Sequence, residues 1–148
     1  MAHYATKVHT SLSAPEAFAV IADFRNLADW DPGVRSSVQT SGEGVELGAT
    51  YDVEVPVGRS TSVLTYEVTH VTPGRLLRVV GEDRRFRSVD VIEVEPTADG
   101  SIVTYDATLT LKGALSFANR FLDRPFQRIG DAAAAGIADA VEGAILVP

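Results

Sequence analysis

The sequence predicts an α+β fold: a seven-stranded antiparallel sheet curved around a long C-terminal helix, with two short helices between strands 1 and 2. Three observations predict it. Polar and apolar residues alternate with period two near the N-terminus and through most of residues 34–112. The interruptions between those stretches are runs of turn-forming residues about as long as hairpin loops. After Gly113 the apolar spacing changes to three and four, the period of a helix.

Tyr4, Thr6, Val8, Thr10 and Leu12 alternate with His3, Ala5, Lys7, His9 and Ser11, which suits a strand with one buried face. Ser13-Ala14-Pro15-Glu16 follows. The Ser13 hydroxyl can accept from the Glu16 amide, Glu16 can reach back to the Ser13 amide, and Pro15 fits a first turn that needs no donor, so a helix starts here. Phe18, Ile21 and Ala22 form its apolar stripe. Residues 23–30 read as a second short helix carrying Leu27 and Trp30, ended by Asp31-Pro32-Gly33. Strands are expected at 34–40, 49–57, 60–71, 75–82, 85–95 and 101–112. The turns between them are Ser41-Gly42-Glu43-Gly44, Val57-Gly58, Thr72-Pro73-Gly74, Glu82-Asp83 and Ala98-Asp99-Gly100, so the sheet is a meander. Leu115, Ala118, Phe121, Leu122, Phe126, Ile129, Ala133, Ile137, Ala140, Val141 and Ala144 place 114–146 in one helix, ~50 Å long at 1.5 Å per residue. Pro125 predicts a kink near Arg124, because it lacks an amide donor and crowds the carbonyl of Phe121.

The 148 residues read as a single domain, 1–148, large enough for one core. With 13 basic and 20 acidic side chains the net charge is −7, a field that disfavours the phosphate backbone, so no nucleic-acid partner is expected. The absence of cysteine excludes disulfides and thiolate metal sites. Residues 1–12 show no export signal, which reads as cytoplasmic, and no stretch approaches the ~20 apolar residues of a membrane span. The three histidines have no metal-ligand spacing with acidic residues, and no Gly-x-Ser-x-Gly nucleophile elbow occurs, so no metal and no cofactor are expected. One helix ~10–12 Å wide cannot fill the concavity of a seven-stranded twisted sheet; the remaining space is either plugged by bulky side chains or left as a pocket.

Four segments in this order carry a resemblance: Ser13-Ala14-Pro15-Glu16 after strand 1, Asn26-Leu27-Ala28-Asp29-Trp30-Asp31-Pro32 closing the helical pair, Ser88-Val89-Asp90 leading into Ile92-Glu93-Val94-Glu95-Pro96, and Leu111-Lys112-Gly113 opening the last helix. Over nearly its whole length the chain resembles the SRPBCC (START-like) superfamily, especially the polyketide cyclase/dehydrase and lipid-transport branch. The resemblance implies a helix-grip fold, in which C-terminal helix and sheet enclose an apolar cavity. It also implies that Trp30 sits where the helical pair meets the sheet opening, as a plug or a gate, the plug being preferred. Members include carriers, aromatase/cyclases and hydrolase activators, so fold alone does not choose the chemistry.

Parity with Val8, Thr10 and Leu12 turns inward Tyr51, Val53 and Val55; Leu64, Tyr66 and Val68; Ile92 and Val94; and Val103, Tyr105, Ala107, Leu109 and Leu111. The helix adds Phe117, Phe121 and Leu122. From these the ligand-binding set is Trp30, Tyr51, Val53, Leu64, Tyr66, Val68, Asp90, Ile92, Tyr105, Ala107, Leu109, Phe117 and Phe121; for any single member, ordinary core packing is the competing reading. Three tyrosines among aliphatics favour a pocket, since a buried phenol needs a partner. Asp90 shares the inward parity, and an unpaired charge there is costly. It either pairs with Arg120, Arg124 or Arg128 to fix helix against sheet, the preferred reading, or anchors a substrate and moves protons; a bulge near Val89 would turn it to solvent. His70 is the other candidate for proton transfer on inward parity, but it sits two residues before the Thr72-Pro73-Gly74 turn, and a solvated strand end is the preferred reading. Asp29 and Asp31 read as solvated or capping. The alanines at 132–135 with Gly136 form a smooth surface for close packing in the monomer or, alternatively, in a homodimer.

The leading functional expectation is binding of a hydrophobic or amphipathic small molecule, for carriage or sequestration. The alternatives are a polyketide cyclase/dehydratase-type enzyme using the same cavity, and a protein-interaction module whose cavity is filled.

Overall fold

In the computed structural model, which describes residues 1–146, the chain runs β1 (Ala2–Thr10), α1 (Ala14–Ile21), a 3-10 turn (Phe24–Asn26), α2 (Leu27–Trp30) and β2 (Ser36–Ser41). It continues through β3 (Thr50–Val57), β4 (Ser60–Thr72), β5 (Leu76–Glu82), β6 (Phe86–Thr97), β7 (Gly100–Leu111), a 3-10 segment (Gly113–Phe121), α3 (Asp123–Ala140) and β8 (Ala144–Ile145). The strands form one antiparallel sheet in the order β2-β3-β4-β5-β6-β7-β1-β8. Short turns make consecutive strands neighbours, while α1 and α2 carry the chain from β1 to the opposite edge. Among the described residues no helix is long and apolar enough to cross a membrane.

The capping box forms as its chemistry requires. Glu16 N donates to Ser13 Oγ at 3.3 Å and Ser13 N to Glu16 Oε1 at 3.1 Å. The expected second helix over 23–30 divides instead. Asp23 Oδ1 accepts from Arg25 N at 3.0 Å, tightening a 3-10 turn before the single turn of α2 begins.

The C-terminal region departs most from expectation. The helix expected over 114–146 is not continuous: a 3-10 segment precedes an α3 of 18 residues. The Asn119 side chain explains the break. Its Oδ1 accepts from Leu111 N at 2.7 Å and its Nδ2 donates to Leu111 O at 3.3 Å, tying the segment back to the end of β7. Pro125 does not kink a helix; it stands in the first turn of α3, where no intrahelical donor is needed, and the helix starts around it. The other end also comes early. Glu142 N donates to Asp139 O and Gly143 N to Ala138 O, a Schellman closure with Glu142 at φ +51°. Gly143 lies so close to the His9 carbonyl that a Cβ would collide with it. The reversal lays Ala144–Ile145 beside β1, with Val8 opposite Ile145 and His9 opposite Ala144; among the described residues the sheet therefore has eight strands rather than seven.

The core lies between the sheet and the helices. α3 packs chiefly along β1, burying Ala133, Ala134 and Ile137, with Tyr4 OH donating to Asp131 Oδ1 at 2.9 Å and Thr10 Oγ1 to Val141 O at 2.6 Å. The smooth 132–136 surface is thus used within the chain: Gly136 meets the Trp30 carbonyl with no room for a side chain. Phe24 fills the β3–β4 side, its ring 5.9 Å from Tyr51 and 5.7 Å from Tyr66, and Trp30 meets Tyr105 edge-on at 5.7 Å. These rings plug part of the concavity and leave the rest open.

Candidate functional site

A cavity of about 360 Å³ remains beside these plugs. Its sheet wall is Val55, Leu64, Tyr66, Phe86, Ser88, Asp90, Tyr105, Ala107 and Leu109; Leu27, Asp31 and Val34 close one side, and Leu122, Pro125, Phe126 and Ile129 the other. Pro56, Val57 and Gly58 of the β3–β4 turn and half-exposed Ile129 stand at the opening. Two further depressions, around Pro15 and Pro73 and around Tyr4 and Ile145, are open surface grooves.

Strand register builds the polar end of this cavity. Tyr66, Gly81, Ser88 and Leu109 lie opposite one another in neighbouring strands, and Val79, Asp90 and Ala107 form the next inward row. Gly81 has no side chain, and the Tyr66 ring occupies the place where its Cβ would be. The phenol therefore lies across β5 toward Ser88 and Asp90. No register shift occurs in β6, so Asp90 keeps its inward parity and is only 6% exposed.

The expected arginine pair is absent. Arg120, Arg124 and Arg128 are exposed, because the 3-10 segment and the start of α3 turn them outward, and Arg120 instead stacks 4.8 Å above the Phe121 ring. Asp90 Oδ1 accepts from Ser88 Oγ at 2.9 Å, its one hydrogen bond among the described residues. Burial pushes its carboxyl up to about 7; the Ser88 hydroxyl opposes this, and the charges of Asp31 and Asp106 add to it.

Asp31, read from sequence as solvated or capping, is a second buried acid in the cavity wall, 8% exposed. Its Oδ1 accepts from Gly33 N at 2.9 Å, an Asx turn that folds the carboxylate inward beside buried Leu27 and Trp30. Burial raises its pKa, and the Gly33 amide only partly offsets this. The Asp31-Pro32-Gly33 turn was visible in the sequence; its placement under the sheet mouth was not. Burial first, and then the charge of Asp90, raise the phenols of Tyr66 and Tyr105 as well.

Of the ligand-binding set, the structure gathers Leu64, Tyr66, Asp90, Tyr105, Ala107 and Leu109 at the cavity. Trp30, Tyr51, Val53, Val68 and Ile92 are buried in the core away from the lining, Tyr51 donating to Gly44 O at 2.7 Å. Phe117 and Phe121, expected to face inward from a continuous helix, are 71% and 64% exposed on the 3-10 segment. His70 is exposed: the register shift between Val68 and His70 inserts Thr69 and reverses the parity that would have pointed it inward. Phe86, Ser88, Phe126 and Ile129 join the lining although none belongs to the ligand-binding set; Phe86 and Ser88 share the inward parity of Asp90, and that parity is a signal for both. Among the described residues no group of three His, Asp or Glu side chains is placed to hold a metal ion. The arrangement can enclose an apolar body, and at its polar end it can hold or exchange a proton near neutral pH.

Comparison with known proteins agrees with this architecture. The family model for polyketide cyclase / dehydrase and lipid transport matches residues 1–142. No curated protein matches the chain. Among solved structures, TTHA0849 from Thermus thermophilus superposes with TM-score 0.75 at 12% identity, over 95% of this chain and 96% of that one. XoxI from Bacillus cereus gives 0.71 at 19% identity, over 96% of each chain. The di-domain ARO/CYC StfQ from the steffimycin biosynthetic pathway gives 0.69 at 14% identity, over 95% of this chain and 50% of that one.

Proposed function

This chain belongs to the polyketide cyclase / dehydrase and lipid transport family, and on that premise we propose that it binds a hydrophobic or amphipathic small molecule in the cavity between sheet and α3. The single observation that carries the reading is the cavity itself: about 360 Å³, walled by aliphatic and aromatic side chains, with a few polar groups at one end. That volume lies within the ~300–1,000 Å³ typical of ligand sites. Burying ~200 Å² of ligand apolar surface at ~25 cal/mol per Å² contributes about 5 kcal/mol before association costs. The test is a titration with the neutral fluorophore N-phenyl-1-naphthylamine. Saturable, one-to-one binding is expected from the natural sequence, and its loss from Ala107→Phe, which fills the cavity from β7. Undiminished binding by a folded Ala107→Phe protein would remove the cavity as the site.

A second reading, a cyclase/dehydratase-type enzyme, is favoured by one specific feature. The Asp90 carboxyl sits near neutrality beside two phenols in an enclosed apolar space, the condition for general acid–base work on a held substrate. In that case Asp90→Asn abolishes turnover of a cyclising polyketide-like substrate while binding of the neutral fluorophore persists.

A further inference from the structure

Among the described residues, the cavity wall contains two carboxylates and no lysine, arginine or histidine. Each carboxylate uses one oxygen within the chain, Asp90 Oδ1 toward Ser88 and Asp31 Oδ1 toward Gly33. The second oxygen of each has no partner among the described residues, and neither is sealed from solvent-sized space. The Tyr105 hydroxyl, on a residue only 6% exposed, likewise makes no hydrogen bond among the described residues. An enclosed pocket therefore presents acceptors and negative charge at one end with no cation to answer them, in a chain whose net charge is −7. An unpaired buried charge is unfavourable, and an ammonium group relieves it.

We propose that the ligand is an organic cation: an apolar body, aromatic or alkyl, ending in a protonated amine that is held by Asp90 and Asp31 and hydrogen-bonded by the free carboxylate and phenol oxygens. This deepens and rests on the ligand-binding reading above. The size limit follows from the cavity, which has room for on the order of a dozen water volumes at ~30 Å³ each, so a one- or two-ring amine fits and a large lipid does not. Free fatty acids are rejected, since their carboxylate would meet two acids.

The groups facing Asp90 set the pH dependence. They are Asp31 from the loop after α2, Tyr66 from β4 and Tyr105 from β7; β5 contributes Val79 and Gly81, which do not titrate, and the charge of Asp106 acts from the outer face of β7, where it meets His3. Because Asp90 is held protonated to about neutral pH, binding an ammonium displaces that proton to the buffer.

The experiment is calorimetric titration with three near-isosteric probes: 4-phenylbutylamine, 4-phenylbutan-1-ol and 4-phenylbutanoate. At about pH 7.5 the amine is expected to bind about tenfold or more tighter than the alcohol, and the carboxylate more weakly than either. Amine binding should release protons, seen as a heat that depends on the ionisation enthalpy of the buffer, and its advantage should shrink as the pH is lowered toward about 5.5. Asp90→Asn should remove most of the amine's advantage over the alcohol, the remainder resting on Asp31, and should reduce the proton release. The pH series on the unaltered protein carries the test even where that variant does not fold. Equal affinities for amine and alcohol at every pH would overturn the cation assignment while the apolar pocket stands. Binding of none of the three would overturn both readings.

Discussion

Asp90→Asn changes how stability responds to pH, and the sign follows from the direction of the shift. The Asp90 carboxyl lies at 3.8 in its unperturbed state and is pushed up to about 7 in the fold by burial. Between these values the folded protein holds a proton that the unfolded chain has released, so the folded state loses ground as pH rises through the window. At 1.36 kcal/mol per unit, a shift of roughly three units corresponds to about 4 kcal/mol, fully expressed above about pH 7 and absent below about pH 4. This is an upper figure, because water admitted to the cavity screens the charge. Asparagine keeps the shape and can still accept from Ser88, but it has no proton to lose. Urea unfolding of both proteins at about pH 5 and about pH 7 isolates the effect: over those two units the natural protein should lose up to ~3 kcal/mol more than Asp90→Asn. Asp31, also raised, contributes the same sign in both proteins, and the depressed carboxyls of Glu16, Asp23, Glu82 and Asp99 are ionised throughout this range. Equal losses in the two proteins, or a larger loss in the variant, would refute the account of Asp90 as a buried, unpaired acid.

Two further substitutions probe the glycines that shape the site. Gly81→Ala places a methyl where the Tyr66 ring lies, which should cost about 1–3 kcal/mol by overpacking and shift the near-ultraviolet tyrosine dichroism as the ring leaves β5. An unchanged signal would show that the ring does not rest there. Gly136→Ala drives a methyl into the Trp30 carbonyl; the expected loss is about 3 kcal/mol or more by urea unfolding, with Trp30 fluorescence moving to the red as α2 and α3 separate. A loss below about 1 kcal/mol would place the close approach of these helices in error.

The strand-rich middle was legible because period-two burial and hairpin turns are local signals. The inward rows through Tyr51, Leu64, Tyr66, Asp90, Tyr105 and Ala107 all followed from parity alone. Parity failed at His70, where one inserted residue reversed it, and nothing in Val68-Thr69-His70 announces a bulge. The C-terminal region departs from its periodicity for a different reason. Its three-and-four spacing continues through 113–121, but the Asn119 side chain clasps the backbone of Leu111 eight residues back, and that tie outweighs periodicity. The burial of Asp31 is not legible in the sequence, because its Asx turn is local whereas its burial depends on how α2 meets the sheet.

The reversal after α3 has a consequence for self-association. An uncovered flank on β1 would offer unsatisfied amides and carbonyls along which a neighbouring molecule could zip up a continuous ribbon. Ala144 and Ile145 occupy part of that flank, and Leu146 N donates to Lys7 O just beyond them. At the far side β2 is six residues long, polar in sequence and irregular between Gln39 and Ser41, which makes a poor template. Both margins are blunted against edge-to-edge growth.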